Sequence, residues 1–89
     1  MDDAPELHAA IRALALYLRD HPYASDSADG IRRWWLPDGL AVTADELEEA
    51  LTWMKLHGLI DDTVAADGQV RIRRRASDAQ LDAVARGHG

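Results

Sequence analysis

The chain has 89 residues, 47% of them hydrophobic, no cysteine, and a formal net charge of −6 at pH 7. That length holds one small domain, and the apolar content is too high for a disordered chain. Without cysteine there is no disulfide framework and no cysteine-based zinc site, which makes a reducing, cytoplasmic setting the simple expectation. No apolar run approaches the roughly 20 residues of a membrane span, and the acidic start, Met1 to Glu6, is unlike a secretion signal. Charge is unevenly spread: residues 1–30 carry a net −4, 31–60 a net −2, 61–75 a net +1 and 76–89 a net −1. Nucleic-acid binders present a basic face, and only one short segment here is basic.

In chain order, the first predicted helix runs from about Pro5 to Asp20. Pro5 suits the first helical position. Leu7, Ile11, Leu14 and Leu18 form its apolar stripe, with Ala10 and Tyr17 beside it. Leu16 lies off that stripe with Arg12, Arg19 and Asp20, either as an ordinary exposed leucine or as a partner contact. His21-Pro22 ends the helix, because the residue before proline avoids the helical region.

Asp26 or Ser27 is placed to cap a second helix, Ala28 to about Leu36. Gly30 costs that helix about 1 kcal/mol relative to alanine, so close approach of a neighbouring helix or an indole is expected there. Ile31, Trp35 and Trp34 are expected to face inward. Adjacent tryptophans in an α-helix point about 100° apart, so both cannot fill the core centre. Trp34 therefore either plugs a gap near Trp53 or stands partly exposed beside arginine, a composition favoured at interface hot spots. Pro37-Asp38-Gly39 reads as a turn, and Leu40 to Val42 as a short extended segment.

The most heavily specified stretch is Thr43 to Ile60. Thr43 and Glu46 have capping-box spacing, and Val42 and Leu47 sit where a hydrophobic staple closes over it. Asp45, Glu46, Glu48 and Glu49 suit the positive end of the helix dipole. Leu47, Ala50, Leu51 and Met54 form the core stripe, with Trp53 at its edge. Gly58 is placed to take a left-handed cap, with Leu59 folding back on Met54. The outward face is Asp45, Glu49, Thr52 and Leu56.

Leu59 to Val64 and Gln69 to Arg74 read as strands joined by Ala66-Asp67-Gly68, a hairpin signal. Alternation points Val70 and Ile72 one way and Arg71 and Arg73 the other. Ser77 and Gln80 form a second capping box. It opens a short last helix carrying Leu81 and Val84, which frays at Gly87 to Gly89.

The passage LEEALTWMKLHGLI followed by DDTVAADGQVRIR resembles the winged-helix variant of the helix-turn-helix family, over about Leu7 to Arg75. The stretch HPYASDSADGIRRWWL is also similar to one shared by small bacterial winged-helix proteins. The resemblance implies a mainly α fold with a small β-hairpin wing, an α+β class. It comprises a three-helix core, a two- or three-stranded antiparallel sheet and a short C-terminal helix. The expected organisation is a domain over 1–75, with 76–89 packed on it or frayed.

In that family the third helix enters the major groove. Here its outward carboxylates oppose a polyanion, whereas arginine and lysine supply phosphate affinity. Arg71, Arg73, Arg74 and Arg75 form the densest positive cluster, suited to solvation near Asp61, Asp62 and Asp67, to an acidic protein patch, or to nucleic acid. The leading expectation is a non-enzymatic adaptor, monomeric or homodimeric, that binds a protein partner through Asp45, Glu49, Thr52, Leu56 and Trp34. The alternative is a DNA-binding regulator that uses the arginine wing. His8, His21, His57 and His88 are scattered without metal-ligand spacing. No nucleophile elbow or phosphate loop is present, so no catalytic residue, metal or cofactor is assigned.

Overall fold

A computed structural model describes residues 5–37 and 39–86. The fold is α+β. Helix α1 (Pro5–Asp20) leads through a turn to strand β1 (Ser25–Asp26). A helical turn, α2 (Ala28–Gly30), then widens into a π-turn, Ile31–Trp35. Helix α3 (Ala44–Leu56), strands β2 (Ile60–Val64) and β3 (Val70–Arg74) and helix α4 (Asp78–Ala85) follow. The antiparallel sheet has the order β1-β3-β2, so the arginine-bearing strand is central.

Local signals explain most of these boundaries. The α3 capping box is formed in both directions: the Glu46 N–H donates to Thr43 Oγ1 at 3.1 Å, and the Thr43 N–H donates to Glu46 Oε1 at 2.9 Å. At the other end Gly58 has φ 72°. Leu59 N–H donates to Met54 C=O, and Gly58 N–H donates to Lys55 C=O, at 2.8 and 3.0 Å. That is a complete Schellman motif. The second capping box, Ser77 with Gln80, is likewise formed and starts α4. In the hairpin turn, Gly68 at φ 86° donates to Ala65 C=O, and the Gln69 N–H is held by Asp67 Oδ1 at 3.0 Å.

The core draws on α1, the π-turn, α3, β2, β3 and α4. Leu14 and Leu18 of α1, Ile31 of the π-turn, Met54 of α3 and Leu81 of α4 are essentially inaccessible. Each such burial contributes about 1.5–3 kcal/mol. Trp35 stacks on Tyr17, with centroids 4.9 Å apart, and Tyr17 lies 4.3 Å from His21. Leu7, Val42, Trp53 and Val84 pack against the core from its margin.

Four expectations are corrected. The third strand is Ser25–Asp26, not Leu40 to Val42. Ser25 pairs with Arg73 and Asp26 with Ile72, whereas the segment after Gly39 makes no ladder and contributes Val42 to the core margin. At Gly30 the close neighbour is neither a helix nor an indole. A Cβ there would lie 2.1 Å from Asp26 Oδ1, the atom that accepts from the Ser27 N–H at 2.8 Å.

The second helix is α-helical only as far as Gly30, and Trp34 does not face inward. It is 73% exposed, while Ile31 and Trp35 are buried. The i→i+5 turn carries more residues per revolution. Each residue therefore advances by less than the α-helical 100° or so, and Trp34 falls further round from Ile31 than α-periodicity places it. The fraying expected at Gly87 to Gly89, and His88, lie outside the described residues, as does Asp38 of the expected turn.

Candidate functional site

The outward side of α3 is built by its own caps. With the helix started at Thr43 and stopped at Gly58, Leu47, Ala50, Leu51 and Met54 point inward. Asp45, Glu49, Thr52 and Leu56 are thereby turned to solvent, and Leu56 is 79% exposed. These four share one depression of about 470 Å³ with Glu48 and Trp53 of the same helix, and Leu7 of α1 lines it from across. His57 stacks on Trp53 with ring centroids 3.9 Å apart, and His57 Nδ1 lies 2.8 Å from the Trp53 carbonyl oxygen.

Trp34 is not part of this depression. It projects from the π-turn beside Arg33, whose guanidinium pairs with Asp29 at 3.2 Å. Leu16, 53% exposed on α1, is also absent from that lining.

A larger trough of about 660 Å³ lies between α2, α3 and the hairpin and shares Asp45, Glu48 and Thr52 with the outer depression. Its apolar part is Leu47, Leu51, Ile72 and Val70. Its rim carries Asp29, Asp45, Glu48 and Asp62, with Arg32 and Lys55 as its cations. Lys55 is committed to Asp62 at 3.0 Å, which ties α3 to β2. Asp29 is committed to Arg33. Asp45 and Glu48, in the first turns of α3, are exposed and form no ion pair among the described residues.

Sequence reasoning missed this trough. The usable signal was strand register. Asp62 sits opposite Ile72 and Val64 opposite Val70, so the inner face of the hairpin carries both carboxylate and apolar groups towards α3.

The arginine cluster does not act as one group. The register places Arg73 between Ser25 and Asp61, and Arg71 opposite Thr63, all on the outer face of the sheet. Arg71, Arg73 and Arg75 are exposed. Arg74 points the other way, and its side chain is only 13% exposed. Its Nε donates to Ala76 C=O at 2.7 Å and its Nη1 to Leu18 C=O at 3.3 Å, while Nη2 donates to Asp78. The hydrogen bond from Arg74 holds the Asp78 carboxyl below its ordinary pKa. Desolvation opposes that shift, and the charges of Arg19 and Arg74 assist it. Arg19 also reaches Asp82 at 3.0 Å. Arg74 therefore leaves the set of candidate contacts and joins the ties that hold α4 to α1 and the sheet. The bases expected near the wing carboxylates are rearranged too: Asp62 serves Lys55 and Asp67 serves its own turn.

Among the described residues there is no grouping of three or more histidine, aspartate or glutamate side chains arranged to hold a metal ion. No described helix is long and apolar enough to cross a membrane. Comparison with protein-family models, with curated proteins and with solved structures finds no match for this chain.

Proposed function

We propose that this chain is a winged-helix protein-interaction module, an accessory or adaptor subunit that docks a protein partner through the outer side of α3. The order helix, strand, helix, helix, hairpin, with β3 at the sheet centre, supports the winged-helix reading. On that reading α3 holds the position of the recognition helix. The observation that carries the functional reading is the chemistry of that position. Asp45, Glu48 and Glu49 are exposed there with Leu56, while the exposed strand arginines Arg71 and Arg73 stand on the opposite face of the hairpin. A phosphate backbone against α3 would meet more carboxylates than cations, since Arg32 and Lys55 are the cations beside it and Lys55 is engaged with Asp62. A protein surface carrying an apolar side chain ringed by cations is complementary to it.

The test is recovery of partners by the full chain from its native host. Leu56→Asp is expected to weaken the recovered complex by at least about tenfold while melting like the parent. Arg71→Glu with Arg73→Glu is expected to retain the complex. A second reading rests on the exposed Arg71, Arg73 and Arg75: a regulator that grips DNA through its wing. It requires duplex binding that falls steeply with salt and is lost in the arginine double variant. Sequence-specific duplex binding with those two properties would overturn the adaptor reading.

A further inference from the structure

We infer that the trough between α2, α3 and the hairpin receives a cationic amphipathic helix of the protein partner, a placement that rests on the docking reading above. The trough has what such a helix needs on both counts. Val70 is half exposed on one wall, Leu51 and Ile72 form the floor, and the small side chains of Ala28 and Ala44 leave the sides open. An apolar stripe at i, i+3, i+4 and i+7 finds its complement there.

The rim supplies the charge. Four carboxylates, Asp29, Asp45, Glu48 and Asp62, line the trough against two cations, Arg32 and Lys55; Asp29 and Asp62 are engaged with Arg33 and Lys55, and Asp45 and Glu48 form no ion pair among the described residues. Lysine or arginine flanking the stripe of an incoming helix would pair with them. The chain's own arginine face does not fit this role as well. A second copy would bring another −6 of net charge along with Arg71, Arg73 and Arg75, and like net charges repel on approach. A cationic segment is drawn in by that same field.

The probe is a designed leucine-and-lysine helix of about 14 residues, four turns, titrated calorimetrically into the full chain at about 0.1 M salt. A scrambled peptide of equal composition serves as comparison. Val70→Lys, which places a cation on the wall, and Ala44→Trp, which fills the trough from an exposed position, are each expected to weaken binding at least about tenfold. Asp45→Lys with Glu48→Lys, on residues shared by the trough and the outer depression, is expected to weaken binding too and reports on charge rather than on place. Leu56→Asp lies only in the other depression and is expected to change binding less than about twofold.

If Leu56→Asp weakens the peptide more than Val70→Lys does, the helix sits on the outer depression. The trough assignment then falls while the docking reading stands. Equal binding of the scrambled peptide, or no binding by the parent chain, also overturns the trough assignment. If the chain alone sediments above a monomer and Val70→Lys restores the monomer, the occupant is a second copy and the cationic-helix assignment is wrong. Loss of partner recovery in neither Leu56→Asp nor Val70→Lys removes the docking reading itself.

Discussion

Arg73 and Arg74 are neighbours in one basic run, yet they belong to two sides of the hairpin with different attachments. On the outer side, Arg71 and Arg73 lie over Thr63, Ser25 and Asp61 and remain exposed. On the inner side, Arg74 is nearly covered and spends its donors on two backbone carbonyls and a carboxylate. A one-residue step along a strand reverses the face. Identical side chains in a single cluster can therefore serve the surface and the framework at once. Charge counting along a sequence sees the cluster, and only register divides it.

The sharpest way to test that division is to remove the inner arginine. Arg74→Ala leaves the Leu18 and Ala76 carbonyls without that donor and Asp78 with Arg19 alone, at 3.5 Å. It is expected to cost about 2–3 kcal/mol in urea denaturation, the scale of hydrogen bonds to charged groups with partners left unmet. A loss below about 0.5 kcal/mol would mean that the inner and outer arginines are equivalent.

Acid titration probes the same tie more gently. The folded-state pKa of Asp78 is depressed, with the Arg74 hydrogen bond the largest cause. A depressed carboxyl stabilises the fold above its ordinary value of 3.8, and that contribution is lost as pH falls through the lower folded value. Asp78→Asn is therefore expected to be less stable than the parent at neutral pH, by less than Arg74→Ala. The two melting curves should converge as pH drops below about 4. Convergence at higher pH would point to another carboxylate.

The smallest effect belongs to the outer side. Arg71→Glu with Arg73→Glu is expected to shift stability by no more than about 0.5 kcal/mol per site, because those side chains carry no described tie to the framework.

The parts of the fold legible in the sequence are those whose signals are local. Thr43 with Glu46, Ser77 with Gln80, the left-handed Gly58 and the Asp67-Gly68 turn each satisfy backbone groups within a few residues, so spacing alone reveals them. The inward stripe of α3 and its four outward residues follow from those caps. What was not legible depends on contacts made far along the chain. Ser25 and Asp26 have poor strand propensity and become β1 only because β3 offers them an edge. For Trp34 the sequence leaves an inward and an exposed position open, because nothing local announces the change from an α-turn to a π-turn. The trough was invisible for a related reason: its walls come from three elements whose meeting is decided by the sheet register.

The sheet order has a mechanical consequence. Ile72 and Arg73 have a strand on both sides, and the root of the hairpin is further fastened through Arg74 and through the bonds of Arg75 and Ala76 to Leu59. Val70 and Arg71 are paired with β2 alone, beyond the two-residue reach of β1. The hairpin is thus a cantilever, clamped at its base and free at its tip, with Val64 and Val70 at the free end. Amide exchange should slow progressively from the tip to the base. A helix entering the trough would press on the compliant end of that beam while the core beneath stays rigid.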